Sequence, residues 1–238
     1  SSIGQLVKVI SSQSTDRVKI TLVEGWTVDQ YAAALKEKLQ IDSFEFMRLN
    51  QDYDFIHALN LDAPSLEGFL FPDTYILLKT YTEEEIIEIL VNQFTHNRRN
   101  LLKEFKSVWP MNMREITTLA SIIQGEAVYD DEMPIISSVY HNRLNKNMLL
   151  QADPTIQYII PGKPRRLYNK DLDVDSPYNT YKYKGLPPGP INNPGLKALQ
   201  AAIMPAETDY LYFVSNGEGR HIFSHSNEEH NQAKLELK

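Results

Sequence analysis

Helix-capping signals recur along this sequence and mark where several helices begin. At each signal, a residue that favours the N-cap position is followed three residues later by Glu or Gln, a spacing that allows reciprocal hydrogen bonds at a helix N-terminus. Apolar residues at helical spacing follow in each case. The four pairs are Thr27 with Gln30, Asp42 with Glu45, Thr82 with Glu85, and Asn112 with Glu115. We therefore predict four helices, of which the first ends near Leu39.

Strand patterns lie towards both ends of the sequence. Apolar and polar residues alternate over 18–23, and two further strand-like stretches, 210–214 and 219–223, flank a turn that contains Asn-Gly. Strands that are grouped apart from the helices are typical of an α+β fold. We predict a small N-terminal module with its connection over residues 1–75, and a larger mixed domain over residues 76–238.

The helix predicted from Asn112 carries a carboxylate on its apolar face. Glu126 lies three residues after Ile123 and seven after Leu119, and both of these are part of that face. Burial disfavours the charged form of a carboxylate, so the pKa of Glu126 would rise towards the range in which a general acid works. The alternative is that Glu126 turns out to solvent after Gly125. The pattern alone leaves both interpretations open.

A segment of roughly forty residues near the middle of the larger domain has little periodicity, and long irregular segments in compact proteins are usually functional or disordered. Its aromatic content argues against disorder. If residues 150–155 are extended, Gln151 and Asp153 face the same way. Hydroxyls, amides and rings that suit sugar binding are supplied by Tyr178, Asn179, Thr180 and Tyr181. A proline-stiffened surface loop is the alternative.

Two asparagines stand at informative positions in the remaining helices. A helix is predicted over residues 131–146, and Asn142 lies on its inward face, three residues after Val139. A buried asparagine needs partners, so Asn142 contacts substrate, holds the end of the Glu126 helix, or belongs to a structural network. Asn193 with Pro194 predicts the N-cap and first residue of a helix that ends before Pro205.

Several classes of function conflict with the composition and motifs. A formal net charge of −7 argues against nucleic-acid binding. Motifs for nucleotide binding, serine hydrolases and common zinc proteases are missing, so no cofactor is expected. A metal site is suggested by His221, His225, His230 and Glu229. Their spacing matches no compact ligand motif, so we expect no metal, and structural roles for His221 and His230.

Short motifs in a fixed order cover most of the chain. They occupy residues 22–26, 66–75, 119–126, 142–144, 150–155, 178–181, 185–191, 193–195 and 210–214. In this order they resemble the endolytic murein transglycosylase family, also known as MltG or YceG-like. Many motifs in one order are far more specific than any single motif.

The resemblance implies an enzyme of the extracytoplasmic face of the bacterial inner membrane that cleaves peptidoglycan glycan strands, with peptidoglycan synthases as partners. It also implies a LysM-like module, N-terminally truncated here, before the catalytic domain. The sequence starts without Met or signal peptide and has no run of 18 apolar residues, so we expect the membrane anchor outside this fragment. The family's catalytic glutamate falls on Glu126, whereas Gln124 replaces an acidic residue that many members carry.

The implied reaction breaks the β-1,4 bond between MurNAc and GlcNAc without water. Glu126 acts as a general acid and then as a base, while the 6-hydroxyl of MurNAc attacks its own anomeric carbon and leaves a 1,6-anhydroMurNAc end. The residues implied to position the sugar are Gln151, Asp153, Tyr178, Asn179 and Tyr181. Two alternatives remain: a peptidoglycan hydrolase with Asp153 as second carboxylate, and a non-catalytic peptidoglycan-binding scaffold.

Overall fold

Two short antiparallel sheets and a series of helices make up the computed structural model, which describes residues 16–104, 111–162 and 164–237. The first part comprises β1 (Arg17–Thr21), α1 (Val28–Leu39), α2 (Ser43–Leu49), α3 (Tyr53–Ala58), β2 (Thr74–Leu78) and α4 (Glu83–Glu104). The second part comprises α5 (Met113–Glu126), a 3₁₀ turn (Asp130–Glu132), α6 (Met133–Asn145), α7 (Asp153–Ile159), α8 (Asn169–Leu172), α9 (Leu196–Ile203), β3 (Tyr212–Ser215), β4 (His221–Ser224) and α10 (Asn227–Glu236). This mixture of helices and strands confirms the predicted fold class.

The N-terminal sheet closes over a set of short helices. β1 and β2 pair antiparallel with Ile20 opposite Tyr75, and both of these side chains are buried. The strand predicted over 18–23 ends earlier, at Thr21, although the Leu22 N–H still donates to the Asp73 carbonyl at 2.9 Å. Gly25 then adopts a φ of 77°, a conformation that favours glycine and turns the chain towards α1.

The capping prediction is confirmed in full at α1 and α5, where Thr27 and Asn112 form complete capping boxes. At α2 only one of the two predicted reciprocal hydrogen bonds is present. Asp42 caps the helix, but its own N–H donates to Glu83 at 2.7 Å instead of to Glu45. Glu45 forms an ion pair with Arg48 instead. A carboxylate from the start of the next long helix therefore replaces the local partner.

Helix α5 lies at the centre of the larger part of the structure. It packs most extensively against α9 and also contacts α6 and α7. The same hydrophobic cluster extends from Ile20 to Ile203 and includes residues on both sides of the boundary predicted after residue 75. That boundary stays a prediction. None of the helices in the described part of the chain has the length and apolarity required to cross a lipid bilayer.

Two predicted helix starts are corrected. The helix predicted over 131–146 begins as a 3₁₀ turn at Asp130 and becomes α-helical at Met133, with Pro134 in its first turn. The helix predicted to start at Asn193 and Pro194 starts at Leu196 with Gly195 as its N-cap. Asn193 does not cap this helix because its side chain has a different set of partners.

Asn193 ties the segment before α9 to the N-terminal part of the protein. Its Oδ1 accepts hydrogen bonds from the backbone N–H groups of Gly68 at 3.0 Å and Leu70 at 3.1 Å. Its Nδ2 donates to the carbonyl of Trp26 at 3.0 Å and to Glu67 at 3.3 Å. The side chain is fully buried. These four bonds join three separate stretches of sequence through one amide.

We predict that Asn193→Ala lowers the free energy of unfolding by about 3 kcal/mol, because two backbone donors and a carboxylate lose their partner in a buried site. Urea unfolding followed by circular dichroism measures this loss as a lower midpoint at unchanged slope. Asn92→Ala is the matched control, since Asn92 is exposed on α4. Equal midpoints for the two variants would contradict the assignment.

Candidate active site

Glu126 is the last residue of α5 and meets the side chain of Tyr140 from α6. The Tyr140 hydroxyl donates to Glu126 Oε1 at 2.9 Å. Tyr140 is buried, and its ring packs edge-on against Phe213 with centroids 5.9 Å apart. Ile123 and Leu119, one and two turns back from Glu126, are completely buried. The carboxyl group therefore extends the apolar face of α5, as the first of the two interpretations predicted.

The pKa of the Glu126 carboxyl is raised to about 7, and burial is the main cause. The negative charge of Asp153 raises it further. Three groups act in the opposite direction by favouring the carboxylate: the Tyr140 hydroxyl, the backbone N–H of Asp153 and the charge of Arg143. At neutral pH both the acid and the carboxylate forms of Glu126 are therefore well populated.

Two cavities meet at Glu126 and Asp153, which line both of them. The first, the Tyr158 cavity, has a volume of about 330 Å³. Its other walls include Gly125, Pro154, Gln157, Tyr158, Ile191 and Asn192. The second, the Lys234 cavity, has a volume of about 370 Å³. Its other walls include Arg143, Gln151, Tyr181, His221, His230 and Lys234. The two carboxyl groups thus lie where one cavity passes into the other.

Asp153 is the first residue of α7, which corrects the extended conformation predicted for residues 150–155. Pro154 favours a helix start here, and Gln151 adopts a left-handed φ of 50°. Gln151 and Asp153 nevertheless both line the Lys234 cavity, so the two side chains do lie on the same side, although not through an extended backbone. The Asp153 carboxylate accepts a hydrogen bond from the Tyr181 hydroxyl, so Tyr181 fixes its orientation.

The other polar residues predicted to bind sugar support the loop from inside. The buried Asn179 amide donates to the carbonyls of Leu172 and Val174. The buried Thr180 hydroxyl accepts the Ala152 N–H at 2.9 Å, just before α7. These side chains do not line either cavity in the described structure. Their bonds hold the loop that carries Tyr181 against the start of α7.

The ring of Tyr158 lines the Tyr158 cavity and contacts a second aromatic ring. Tyr178 lies next to Tyr158, with ring centroids 5.2 Å apart. Burial raises the pKa of both phenols, so both keep their hydroxyl protons at neutral pH. The predicted role of Tyr178 beside a sugar stays a prediction, and Tyr158 adds a ring that the sequence analysis did not select.

Asn142 and the histidines have partners within the protein. The Asn142 amide donates to the carbonyls of Thr208 and Tyr210, which fits the structural network among its three alternatives. His221 Nδ1 lies 3.1 Å from Glu132, and His225 lies between Asp209 and Glu229. Within residues 16–104, 111–162 and 164–237, no three potential metal ligands cluster together.

Arg143 and Tyr140 belong to the site and were not predicted. Arg143 is buried and donates to the carbonyls of Leu211 at 2.6 Å and Leu150 at 2.7 Å. Its guanidinium also lies over the Tyr212 ring, 5.2 Å from the centroid. Tyr140 follows the buried Ile136 by four residues, so extending the apolar periodicity of α6 would have placed it inward. No comparable pattern signals Arg143.

Gly125 allows α7 to approach the end of α5. A Cβ atom at this position would lie 2.6 Å from Pro154 Cβ, far inside normal contact distance. The preceding residue, Gln124, points elsewhere and accepts the Gly195 N–H at 2.9 Å. Gln124 thus connects α5 to the start of α9, whereas Gly125 sets how closely Asp153 and Glu126 can lie.

Comparisons with known proteins give a consistent result. The model of the YceG-like family matches residues 1–236. An endolytic murein transglycosylase of Bacillus subtilis is 35% identical over 95% of this chain and 67% of its own length. An endolytic murein transglycosylase of Streptococcus pneumoniae is 30% identical over 97% of this chain, which spans 48% of that relative. The crystal structure of a yceG-like protein from Listeria monocytogenes superposes with a TM-score of 0.81 at 35% identity, covering 96% of this chain and 80% of that one.

We predict that Gly125→Ala lowers kcat/KM for the site's reaction by about 100-fold, because a displaced α7 moves Asp153 away from Glu126. Alanine favours helix more than glycine does, so a general loss of helix stability would not explain the effect. Pro154→Gly removes the clashing ring, and the double variant should recover much of the activity. A Gly125→Ala enzyme with wild-type kcat/KM would show that the close approach is unimportant.

Proposed function

This chain belongs to the YceG-like family, and we propose that it is an endolytic lytic transglycosylase that cleaves peptidoglycan between MurNAc and GlcNAc. Curated relatives are named endolytic murein transglycosylases, which makes the chain an enzyme of peptidoglycan metabolism. One observation carries the mechanism: Glu126, with a pKa raised to about 7, lies where two cavities meet. A glycan strand lying through both cavities would pass this carboxyl group.

In the first step Glu126 acts as the general acid. Its carboxyl proton passes to the β-1,4 glycosidic oxygen as the bond from that oxygen to the anomeric carbon of MurNAc breaks, and the GlcNAc side leaves as an alcohol. Positive charge develops on the MurNAc ring. The Asp153 carboxylate, oriented by Tyr181 on the same wall of the cleft, stabilises that charge.

In the second step Glu126 acts as the base. The 6-hydroxyl of the same MurNAc attacks its anomeric carbon, and its proton passes to the Glu126 carboxylate, which restores the acid. The Tyr140 hydroxyl stabilises the carboxylate between the two steps through its bond to Oε1. No water is consumed, and the product ends in 1,6-anhydroMurNAc.

Asn192 is a candidate for positioning the sugar in the Tyr158 cavity. Its Nδ2 donates to the Ser121 carbonyl at 2.8 Å. Its Oδ1 is buried and has no hydrogen-bond partner among the described residues, although a buried acceptor normally has one. The N–H of an acetamido group, which both sugars of peptidoglycan carry, would supply that partner, while Tyr158 and Tyr178 offer rings to a pyranose face.

The alternatives differ in the products that they leave. Asp153 lines both cavities together with Glu126, so a hydrolase with two carboxylates remains the second candidate. Hydrolysis adds one water for each bond cleaved and leaves a MurNAc end that is one water heavier than the anhydro end, whereas the transglycosylase reaction adds none. A non-catalytic scaffold would release no product.

The N-terminal part and the cellular setting complete the proposal. The strand–helix–strand unit from β1 to β2 forms a two-stranded antiparallel sheet with short helices between its strands, which supports the LysM-like module implied by the family resemblance. We extend the proposal to an enzyme at the extracytoplasmic face of the cytoplasmic membrane that works beside peptidoglycan synthases. The murein named in the relatives lies on that side of the membrane.

We predict that Glu126→Gln lowers glycan cleavage by about 1000-fold or more, because the amide neither donates the proton nor accepts it back. Glutamine can still accept the Tyr140 hydroxyl, so the fold is expected to stay intact by circular dichroism. Mass spectrometry of glycan ends released by the wild type should show 1,6-anhydroMurNAc. Ends heavier by one water would establish the hydrolase, and unchanged cleavage by the variant would remove Glu126 from the mechanism.

We predict that kcat/KM of the wild type falls as pH rises through about 7, because the reaction starts from protonated Glu126. The Tyr140 hydrogen bond lowers the pKa of Glu126, so Tyr140→Phe should move this decline to higher pH. Tyr129→Phe, on the surface, serves as the control and should leave the profile unchanged. A decline in Tyr140→Phe at the wild-type pH or below would contradict the assigned role.

A further inference from the structure

Four basic side chains line the Lys234 cavity and have no task in the reaction described above. They are Arg143, His221, His230 and Lys234. The acidic side chains on the walls of this cavity, Glu126 and Asp153, both lie where it joins the Tyr158 cavity. The Lys234 cavity therefore has a carboxyl end, where the bond is cleaved, and a basic remainder.

The cationic charge of this cavity is only partly neutralised by the protein. His221 is paired with Glu132. Arg143 donates to backbone carbonyls, which satisfy its N–H groups without cancelling its charge. Over the described ranges, neither Arg143 nor Lys234 has a carboxylate oxygen within ion-pair distance. Two full positive charges thus border the cavity without an ion-pair partner.

His230 lies at the wall of the Lys234 cavity, and one nitrogen of its ring has no hydrogen-bond partner among the described residues. Its ring stacks on Tyr212 with centroids 5.4 Å apart, and the Arg143 guanidinium lies over the same Tyr212 ring. Its Nδ1 is buried and has no hydrogen-bond partner in the part of the chain that the structure describes. Burial lowers the pKa of His230, and the charges of Lys234 and Arg143 lower it further. Lys234 follows it by one turn of α10, so both side chains lie on one face.

We propose that the Lys234 cavity is a carboxylate-binding subsite, in which Lys234, His230 and Arg143 bind an anionic group carried by the glycan next to the bond that is cleaved. The inference deepens the proposed function and rests on it. A carboxylate would supply the missing ion-pair partner and a polar partner for His230 Nδ1. Glycan hydroxyls and acetamido groups, which are neutral, would leave both cations unpaired.

The chemistry of the substrate offers this carboxylate at the right sugar. Muramic acid carries a lactyl ether at its 3-position, and GlcNAc carries none. The lactyl group ends in a free carboxylate when the peptide is absent, and otherwise it bears a peptide that has carboxylates of its own. Because Glu126 lies at the end of the same cavity, the subsite would bind the group attached to the MurNAc that is cleaved and so distinguish it from GlcNAc.

The test compares three glycans of equal length: one with peptides that have free carboxylates, one without peptides, and one without peptides whose lactyl carboxylates are converted to methylamides. Lys234→Met should lower kcat/KM by about tenfold on one or both of the first two, and leave the third unchanged. Loss on the first alone identifies a peptide carboxylate, and loss on the second identifies the lactyl carboxylate. Lys234→Arg should retain most activity, and Lys197→Met, on the exposed side of α9, is the control.

An equal effect of Lys234→Met on all three glycans, or no effect on any, would overturn the subsite. Failure of the proposed function is recognised separately, because the wild-type enzyme would then cleave none of the glycans or leave hydrolysed ends. A binding measurement adds a second readout that does not depend on turnover. Adding Lys234→Met to Glu126→Gln should weaken binding of each glycan that Lys234→Met cleaves more slowly, and should leave binding of the methylamide glycan unchanged.

Discussion

The burial of α5 on all sides is the constraint on which the rest of this structure depends. Every residue from Ile116 to Ile123 is buried, including three with hydroxyl groups. These hydroxyls donate to carbonyls within the protein, so the helix can pass through the core without unsatisfied groups. After Ile123 the helix reaches the junction of the two cavities, where Glu126 ends it with a carboxyl group that is still shielded from solvent. Its raised pKa follows from this placement.

The elements around Glu126 each constrain one of its properties. Tyr140 from α6 stabilises the carboxylate, and Gly125 lets the start of α7 bring Asp153 close. Asn193 fastens the segment before α9 to the N-terminal part, whose Thr27 and Gln30 also line the Tyr158 cavity. The cleft is therefore built from both of the predicted sequence regions. The Tyr158 side presents rings and amides, and the Lys234 side presents positive charge.

Local sequence signals predicted the helix starts well, because capping depends on residues that are close in sequence. Thr27 and Asn112 behaved as predicted, whereas Asp42 exchanged its partner for Glu83, forty-one residues away. Asn193 was assigned wrongly for the same reason, since its partners lie more than a hundred residues earlier.

For the candidate active site, too, the sequence predicted some features and could not predict others. Helical periodicity left Glu126 open between a buried and a solvated position, and its proposed catalytic role came from the family resemblance. Gln151 and Asp153 were predicted to face the same way, and both line the Lys234 cavity, although the extended backbone predicted for them was wrong. Arg143 on α6 and His230 and Lys234 on α10 come together because both helices contact β3, whose Tyr212 ring lies against Arg143 and His230, and no local pattern reveals this.

The proposed role of Glu126 as an acid is tested most directly by measuring the pKa of its carboxyl group in the folded protein. Carbon-13 NMR of glutamate carboxyl groups, titrated from pH 4 to pH 9, resolves this group when the spectra of the wild type and of Glu126→Gln are compared. We predict a resonance that is missing from the variant and titrates with a midpoint near 7. A midpoint near 4.5, the value of an ordinary glutamate, would show that the carboxyl group is solvated and is not held as an acid for catalysis.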